Sequence, residues 1–287
     1  MVDVTVRNNN RSKPARVLEW IVPCDVNDAT SKETTLPKDM SSFDVKTLGG
    51  QAAKYLGAVF KRAQPTAKDY LILKPGAEIS CTINFGEYFD FISPSKDDVY
   101  EIKFIETSMQ LSGPYVSSKS VLETLSSDTL TVQIAARGFP TRSLRSRERK
   151  LPATNNFRNC DAGRQGVIAD ARSRAATEAT NALRVIDDVG TWRNSAYCPR
   201  YNEWFGNYDY NRHNSELRPG YSAVRDRLND VPIVFDCSCS LEKVYAYVYK
   251  SSPYDIYLCP MFWSAPMTGT NSKMVSYTLL LLSIVPT

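Results

Sequence analysis

The sequence predicts an α+β protein with two domains, an antiparallel β-sandwich over residues 1–136 and an α+β domain over residues 160–287. The length of 287 residues exceeds the usual size of one domain. Short stretches that alternate apolar and polar residues fill the first half, which is typical of antiparallel strands. A long helical periodicity opens the second half, and strand-like runs follow it. Hydrophobic residues at 43% and charged residues at 23% indicate a folded chain.

The first domain contains six predicted strands. Asn8-Asn9-Asn10 and Pro75-Gly76 supply turn residues between them. Short alternating strands separated by turns favour an antiparallel sandwich. These stretches carry no catalytic constellation, so a structural or chaperoning role is predicted. The predicted strands span residues 2–6, 16–22, 70–73, 78–85, 99–105 and 129–135.

Residues 137–159 are predicted to form a basic linker. A charge run of this kind is usually just a solvated linker. Its Arg-x-x-Arg pattern and dibasic pair also suit a trypsin-like or furin-like processing protease, because extended exposed backbone can enter a protease cleft. Both interpretations stay open. Nucleic-acid binding is not expected, because the run lacks the interleaved aromatic residues on which bases stack. The basic residues are Arg142, Arg145, Arg147, Arg149 and Lys150.

The second domain begins with a predicted helix over residues 161–189. Apolar residues recur along it at the spacing of one helical face, and Gly190 is predicted to be its C-terminal cap. Strand-like runs follow at 233–236, 245–249 and 256–258, and the alternating Tyr residues of the second run predict a sheet with one exposed face. The apolar residues of the helix are Ile168, Ala171, Ala175, Ala179, Ala182, Leu183 and Ile186.

Seven cysteines predict an oxidising compartment. The Cys-Ser-Cys segment at 237–239 has no matching Cys or His pair, so disulfides are expected rather than a structural zinc finger. Disulfides imply a secreted protein. The first residues show no signal-peptide pattern, so we expect the signal peptide to be absent from this chain. The cysteines are Cys24, Cys81, Cys160, Cys198, Cys237, Cys239 and Cys259.

A series of aromatic, cysteine and turn motifs runs through the second half. In order, they are Arg200-Tyr201, Trp204-Phe205-Gly206, Tyr208, Phe235-Asp236-Cys237-Ser238-Cys239, Tyr245-Ala246-Tyr247-Val248-Tyr249, Ile256-Tyr257-Leu258-Cys259, Phe262-Trp263, Ala265-Pro266 and Thr268-Gly269-Thr270. In order and spacing these motifs resemble the deuterolysin and peptidyl-Lys metalloendopeptidase family, the M35 aspzincins. The first half is similar to that family's pro-region, notably at Tyr55-Leu56-Gly57 and Leu73-Lys74-Pro75-Gly76.

The resemblance implies a secreted precursor with a zincin-like second domain that hydrolyses peptide or protein substrates with zinc, after cleavage by a processing protease. It also implies two disulfides, Cys160–Cys237 and Cys239–Cys259. Cys24 and Cys81 are left as a further pair in the first domain. The seventh cysteine is then odd.

The zinc site of the family is not expected in these residues. In the family a helix bearing HExxH supplies two zinc-binding imidazoles, and its Glu activates water. This chain has one His in total, His213. We therefore nominate no catalytic residue, no metal ligand and no bound cofactor, and we predict a chain that is truncated before HExxH and inactive. A lone His in a polar stretch is predicted to lie at the surface or to cap a helix.

Residues 274–287 are predicted to be an aberrant tail without a helical amphipathic pattern or a cap. The tail is too short to span a membrane, for which about 20 residues are needed. A natural terminus and a gene-model artefact both stay open, and an unspliced intron that encodes Val275-Ser276 from GTAAGT would account for the second. The second domain is then expected to expose apolar faces and to be loosened.

The sequence leaves two functions open and favours the first, because the residues that resemble the family stop abruptly rather than eroding gradually. The first is a non-catalytic product of a secreted metalloendopeptidase precursor. The second is a non-catalytic binding or inhibitory protein derived from that family.

Overall fold

The computed structural model describes residues 1–24, 38–91, 98–106, 125–134, 155–192, 201–202, 205–269 and 271–283. There are two compact units, one formed by Met1–Ala58 with Gln64–Arg145 and the other by Val59–Ala63 with Ser146–Thr287. Strands and helices together confirm the α+β class. The described strands are β1 (Val2–Arg7), β2 (Ala15–Leu18), β3 (Phe43–Thr47), β4 (Lys54–Tyr55), β5 (Ala58–Arg62), β6 (Tyr70–Leu73), β7 (Glu78–Ile83), β8 (Phe89–Asp90), β9 (Asp98–Glu106), β10 (Leu125–Ser126), β11 (Leu130–Ile134), β12 (Asn155–Arg158), β13 (Ile233–Asp236), β14 (Val244–Tyr249) and β15 (Ser252–Leu258). The main described helices are α1 (Ala162–Trp192), α2 (Arg218–Asp230), α3 (Pro260–Ser264) and α4 (Lys273–Ser283).

Antiparallel pairing prevails among the described strands of the first unit. β9 pairs with β3, β10 and β11, while β1 pairs with β7, β2 with β6, and β4 with β8. Phe43 anchors one apolar cluster by edge contacts with Phe85 and Phe104. These pairs form separate small sheets, so the predicted sandwich arrangement is not confirmed.

Two predicted strands of the first unit end earlier than expected, and the strand predicted over 78–85 ends at Ile83, before a 3₁₀ turn at Phe85–Glu87. The strand predicted over 16–22 ends at Leu18, and Glu19–Ile21 forms a 3₁₀ turn. Val17 and Leu18 are both buried in the same apolar cluster as Ile21. Successive side chains of a strand point to opposite faces, so a straight strand cannot bury these neighbours on one side. The turn brings them into a single core.

A five-stranded sheet forms the base of the second unit, in the order β12-β13-β15-β14-β5. β12, β13 and β15 are parallel neighbours, and β14 is antiparallel to β15. Two of these strands differ from the sequence prediction. β12 lies within the expected linker 137–159, and β5 lies within the segment assigned to the first domain. Each of them pairs with a strand far away in the chain, which local periodicity does not reveal.

Helix α1 confirms the helix predicted over 161–189. It buries the expected apolar face, with Ile168, Ala171 and Ala175 at 0% exposure. The prediction that Gly190 ends the helix is wrong, because α1 continues to Trp192. The imidazole of His213 occupies the space that a side chain at position 190 would fill.

The tail predicted over 274–287 to lack a helical amphipathic pattern and a cap forms most of the helix α4, which begins at Lys273. Ser272 caps this helix, since its Oγ accepts from the Val275 N–H at 3.2 Å and its carbonyl accepts from Ser276. Tyr277, Leu280 and Leu281 lie at i, i+3 and i+4, and their exposures are 0%, 2% and 0%. They join the apolar cluster of α1, α2 and the sheet, so the predicted exposure of those faces is wrong. Among the described helices none is long and apolar enough to cross a membrane.

Candidate functional site

Helix α4 lies in the segment where the resemblance places a zinc-binding helix. Its inner face is the side that packs into the core of the second unit. The ring of Tyr277 lies 5.4 Å from the ring of Phe235 and 5.5 Å from that of Phe262, measured between centroids. Leu280 and Leu281 belong to the same core cluster. The Tyr277 hydroxyl is buried and has no hydrogen-bond partner among the described residues. Burial raises the pKa of Tyr277 well above its usual value, so this phenol stays neutral.

Zinc does not fit the residues on this face. Zinc sites in proteins use imidazole, thiolate and carboxylate ligands, and the buried face of α4 offers leucine side chains and a neutral phenol instead. Within the described ranges, no group of three His, Cys, Asp or Glu side chains could hold a metal ion. The whole sequence contains a single His. A two-imidazole zinc site therefore cannot form from these 287 residues.

Lys273 fastens the first turn of α4 to α3. Its side chain is buried, and Nζ donates to the carbonyl of Trp263 at 3.1 Å and to the carbonyl of Ala265. Nζ also lies 5.7 Å from the centre of the Phe262 ring. Burial lowers the pKa of Lys273. The ammonium satisfies carbonyls at the C-terminal end of α3, where a positive charge is favourable.

Disulfides hold the loops at the C-terminal ends of the parallel strands. Cys160 is bonded to Cys237, and Cys239 is bonded to Cys259. Asp236 organises the loop between them by accepting from the Ser238 N–H at 2.8 Å and from the Ser238 hydroxyl at 2.6 Å. In the first unit Cys24 is bonded to Cys81. The resemblance had implied a pair Cys160–Cys237 and a pair Cys239–Cys259, and it had left Cys24 and Cys81 over as a further pair.

A cavity of about 490 Å³ lies beside these disulfides, at the start of α1. The guanidinium of Arg164 lies 4.8 Å above the Trp263 ring and 3.4 Å from the Asp161 carboxylate. The guanidinium and the carboxylate form an ion pair, and both side chains are partly exposed. Besides the Asp161 carboxylate, which is paired with Arg164, the residues that line the cavity include no Ser, His or free thiol that could act as a nucleophile or a general base. The cavity therefore supplies no catalytic constellation.

Comparison with known proteins identifies the relationship. Residues 192–280 match the family model of the aspzincin M35 lysine-specific metallo-endopeptidases. An extracellular protease of Aeromonas hydrophila is 28% identical over 281 residues, covering 95% of this chain and 72% of that protein. The chain belongs to the M35 family. A peptidyl-Lys metalloendopeptidase of Grifola frondosa is 25% identical over 258 residues, covering 86% of this M35 chain and 68% of that protein.

A solved zinc peptidase from Grifola frondosa shares 30% sequence identity with this M35 chain, covering 44% of it and 75% of the other chain, with a TM-score of 0.37. Family membership rests on the sequence matches. The matched segment 192–280 includes most of α4. The helix with the apolar inner face is thus part of the region that relates the chain to M35.

His213, the single histidine of this M35 chain, is buried at 2% exposure, so its prediction as a surface residue is wrong, whereas it does stand at the C-cap of the short helix Tyr210–Arg212. The Tyr201 hydroxyl lies 3.4 Å from Nδ1, and the Tyr208 ring packs 5.1 Å away between centroids. A Cβ at position 190 would lie 3.0 Å from Cε1 and would overlap Nε2. Burial lowers the pKa of His213, while Asp187 raises it and Arg218 lowers it. Tyr201 and Tyr208 lie close to His213 in the sequence. Their proximity was the signal that could have predicted its aromatic environment.

Arg172 is a second buried group that the sequence did not single out. Its exposure is 6%, and Nε donates to the Leu228 carbonyl at 2.8 Å. Its other nitrogens donate to the Val231 carbonyl at 2.7 Å and to the Asn155 side chain at 2.5 Å. The Arg172 guanidinium therefore links α1 to β12 and to the C-terminal end of α2, which is a structural role.

The remaining predicted site residues lie outside the described ranges. They are the basic residues of the expected processing site, Arg142, Arg145, Arg147, Arg149 and Lys150, together with Cys198.

Proposed function

We propose that residues 1–287 act as a secreted, non-hydrolytic M35 protein that binds peptide or protein segments without cleaving them through zinc. One observation carries this proposal: α4 presents Tyr277, Leu280 and Leu281 to the core, and none of these side chains is a zinc ligand of the family type. The chemistry of M35 peptidases needs a metal that activates water. A family member without the ligands for this metal can keep the surfaces of the family, but it cannot hydrolyse peptides through zinc.

The closed core of the second unit supports a binding protein over an incomplete precursor. Tyr277 fills the space between Phe235 and Phe262, and Leu281 is fully buried with it. An incomplete enzyme domain would instead leave an apolar face in water, at a cost of about 25 cal/mol per Å². A fold that closes its own core can persist without catalysis.

A precursor role is the second candidate, and the extent of the sequence match supports it. The extracellular protease of Aeromonas hydrophila aligns along 95% of this chain, including the part that resembles a pro-region. In this candidate the basic residues between 142 and 150 would be cleaved by a processing protease. Limited trypsin digestion separates the two candidates. Two equally resistant fragments favour the binding protein, and a degraded C-terminal fragment favours the incomplete precursor.

Secretion is supported by the cysteines and by one relative's name. The bonds Cys160–Cys237 and Cys239–Cys259 support secretion, because disulfides persist in oxidising compartments. The relative from Aeromonas hydrophila is named an extracellular protease.

A cleavage assay tests the proposed lack of hydrolysis. The purified chain is incubated with zinc and an unfolded protein, with and without a chelator, beside a peptidyl-Lys metalloendopeptidase as positive control. We expect no chelator-sensitive peptide release from the chain, because a zinc peptidase needs ligands that it lacks. Chelator-sensitive cleavage by a preparation free of other peptidases would falsify the proposal.

A further inference from the structure

We infer that the side-chain amide of Asn10, in the loop between β1 and β2, is a site of N-glycosylation. The inference rests on the secretion that forms part of the proposed function, because this modification is made in the secretory pathway. It would place an oligosaccharide on the first unit, whereas the M35 match covers residues 192–280.

The segment Asn10-Arg11-Ser12 has the acceptor pattern of this modification, an Asn followed two positions later by a hydroxyl residue, with no Pro between them. The pattern occurs once in the 287 residues. The neighbouring Asn9 has Arg11 two positions later and does not fit. Short patterns also arise by chance, so the loop must in addition expose the amide nitrogen.

The folded loop exposes Asn10 and leaves its amide nitrogen available. Asn10, Arg11 and Ser12 are all exposed. The Asn10 Oδ1 accepts from the Ser12 N–H and the Lys13 N–H, both at 2.9 Å, and from the Ser12 hydroxyl at 3.4 Å. Its Nδ2 has no hydrogen-bond partner in the part of the chain that the structure describes. The fold therefore uses the oxygen of this side chain and not its nitrogen.

Asn8 uses the same kind of side chain in the opposite way. It is buried at 5% exposure, and its Nδ2 donates to the carbonyls of Lys13 and Leu73, both at 2.9 Å. Its Oδ1 accepts from the Asn10 N–H at 3.0 Å. Both hydrogens of this amide nitrogen are engaged, so a sugar there would break buried hydrogen bonds. Asn8 anchors the loop and holds Asn10 at the surface.

The transfer replaces one hydrogen of the Asn10 amide nitrogen, and the donor class is a lipid-linked oligosaccharide diphosphate. A bond forms from Nδ2 to the anomeric carbon of the sugar, while the bond from that carbon to the phosphate oxygen breaks. The lipid diphosphate leaves, and the proton goes to a base of the transferase. Oδ1 is unchanged and still accepts from Ser12 and Lys13. The folded loop therefore tolerates the product.

The test produces the full chain in a eukaryotic host behind a secretion signal. Medium and cell fractions are treated with peptide-N-glycosidase, which removes the glycan and converts its Asn to Asp, and chymotryptic peptides are analysed by mass spectrometry beside an untreated sample. We expect Asp at position 10 after treatment only, together with a loss of mass from the whole chain. The untreated sample controls for spontaneous deamidation.

Substitutions in the loop make the test specific. Ser12→Ala should abolish the modification and Ser12→Thr should retain it, because the pattern needs the hydroxyl. Asn9→Gln is the matched control, since Asn9 is exposed in the same loop, and it should retain the modification. A variant that misfolds stays in the cell fraction, where the modification is still detected, because the transfer acts on the chain before it folds.

Two outcomes overturn the inference. The first is a chain in the medium that carries its disulfides but keeps an unmodified Asn10. In that case the site fails and the proposed secretion stands. The second is a glycan that survives both Ser12→Ala and Asn10→Gln, which places it on another residue. A chain that is modified at Asn10 but retained in the cell supports the site and counts against the proposed secretion.

Discussion

Tyr277 of α4 packs against Phe235 of β13 in the centre of the second unit, with 5.4 Å between the ring centroids. The contact makes α4 part of the core, although its sequence was expected to form a tail without a helical amphipathic pattern. Both rings are fully buried. The stability of the second unit should therefore depend on α4. The buried hydroxyl of Tyr277 allows a sharp test of this dependence.

Tyr277→Ala should destabilise the second unit by about 3–5 kcal/mol, because it removes a buried ring and leaves a cavity. Tyr277→Phe should cost less than about 1 kcal/mol or stabilise the unit, since the hydroxyl has no hydrogen-bond partner among the described residues. Urea unfolding followed by circular dichroism measures both variants. Equal losses in the two variants would show that the hydroxyl makes an essential interaction.

Gly190→Ala should destabilise the protein by about 1–3 kcal/mol, because the new Cβ would overlap the His213 imidazole. In a His213→Ala background the same substitution should be neutral or stabilising, since Ala favours a helix more than Gly does. Thermal unfolding of the four proteins gives the coupling between the two sites. Additive effects would sink this account of Gly190.

Stability should fall as the pH drops below about 6.5, the ordinary pKa of His. Burial lowers the pKa of His213 in the folded state, so below pH 6.5 the unfolded chain binds the proton first and is favoured. The stability that neutral, buried His213 contributes is fully present above the pKa that it has in the unfolded chain. This stability is lost as the pH falls through the pKa of His213 in the folded state. Urea unfolding between pH 7.5 and 5.5 measures this dependence, which His213→Ala should reduce. An unchanged dependence in that variant would assign it to other groups.

Peptide mapping under non-reducing conditions should recover three cross-links, Cys24–Cys81, Cys160–Cys237 and Cys239–Cys259. The Cys237–Cys259 region should also become more sensitive to proteases after reduction, because both of its disulfides close loops between strands. A peptide that links Cys237 to Cys239 would remove the support for this pairing.

Local patterns predicted those elements that depend on local chemistry. The strand at 70–73 and the helix over 161–189 have a clear period, and both are present. β5 and β12 were missed because their hydrogen-bond partners lie far away in the chain. Sequence periodicity describes one segment at a time and does not identify such pairing.

The errors at the candidate site have physical causes as well. Four consecutive leucines follow Thr278, so the apolar pattern does not single out Tyr277, Leu280 and Leu281 as a buried face. The capping residue Ser272 lies before the segment that was predicted to be the tail. Gly190 has the position of a helix cap, but its role is to make room for His213 from another segment. Tertiary contacts decided both cases.

Zinc analysis after dialysis tests the central claim most directly. The purified chain is equilibrated with zinc, dialysed and assayed for metal, with a peptidyl-Lys metalloendopeptidase as the control that retains zinc. We predict no stoichiometric zinc in the chain, because its single His and the apolar face of α4 do not supply a family-type site. Retention of about one zinc per chain, removed by a chelator together with peptidase activity, would contradict the account.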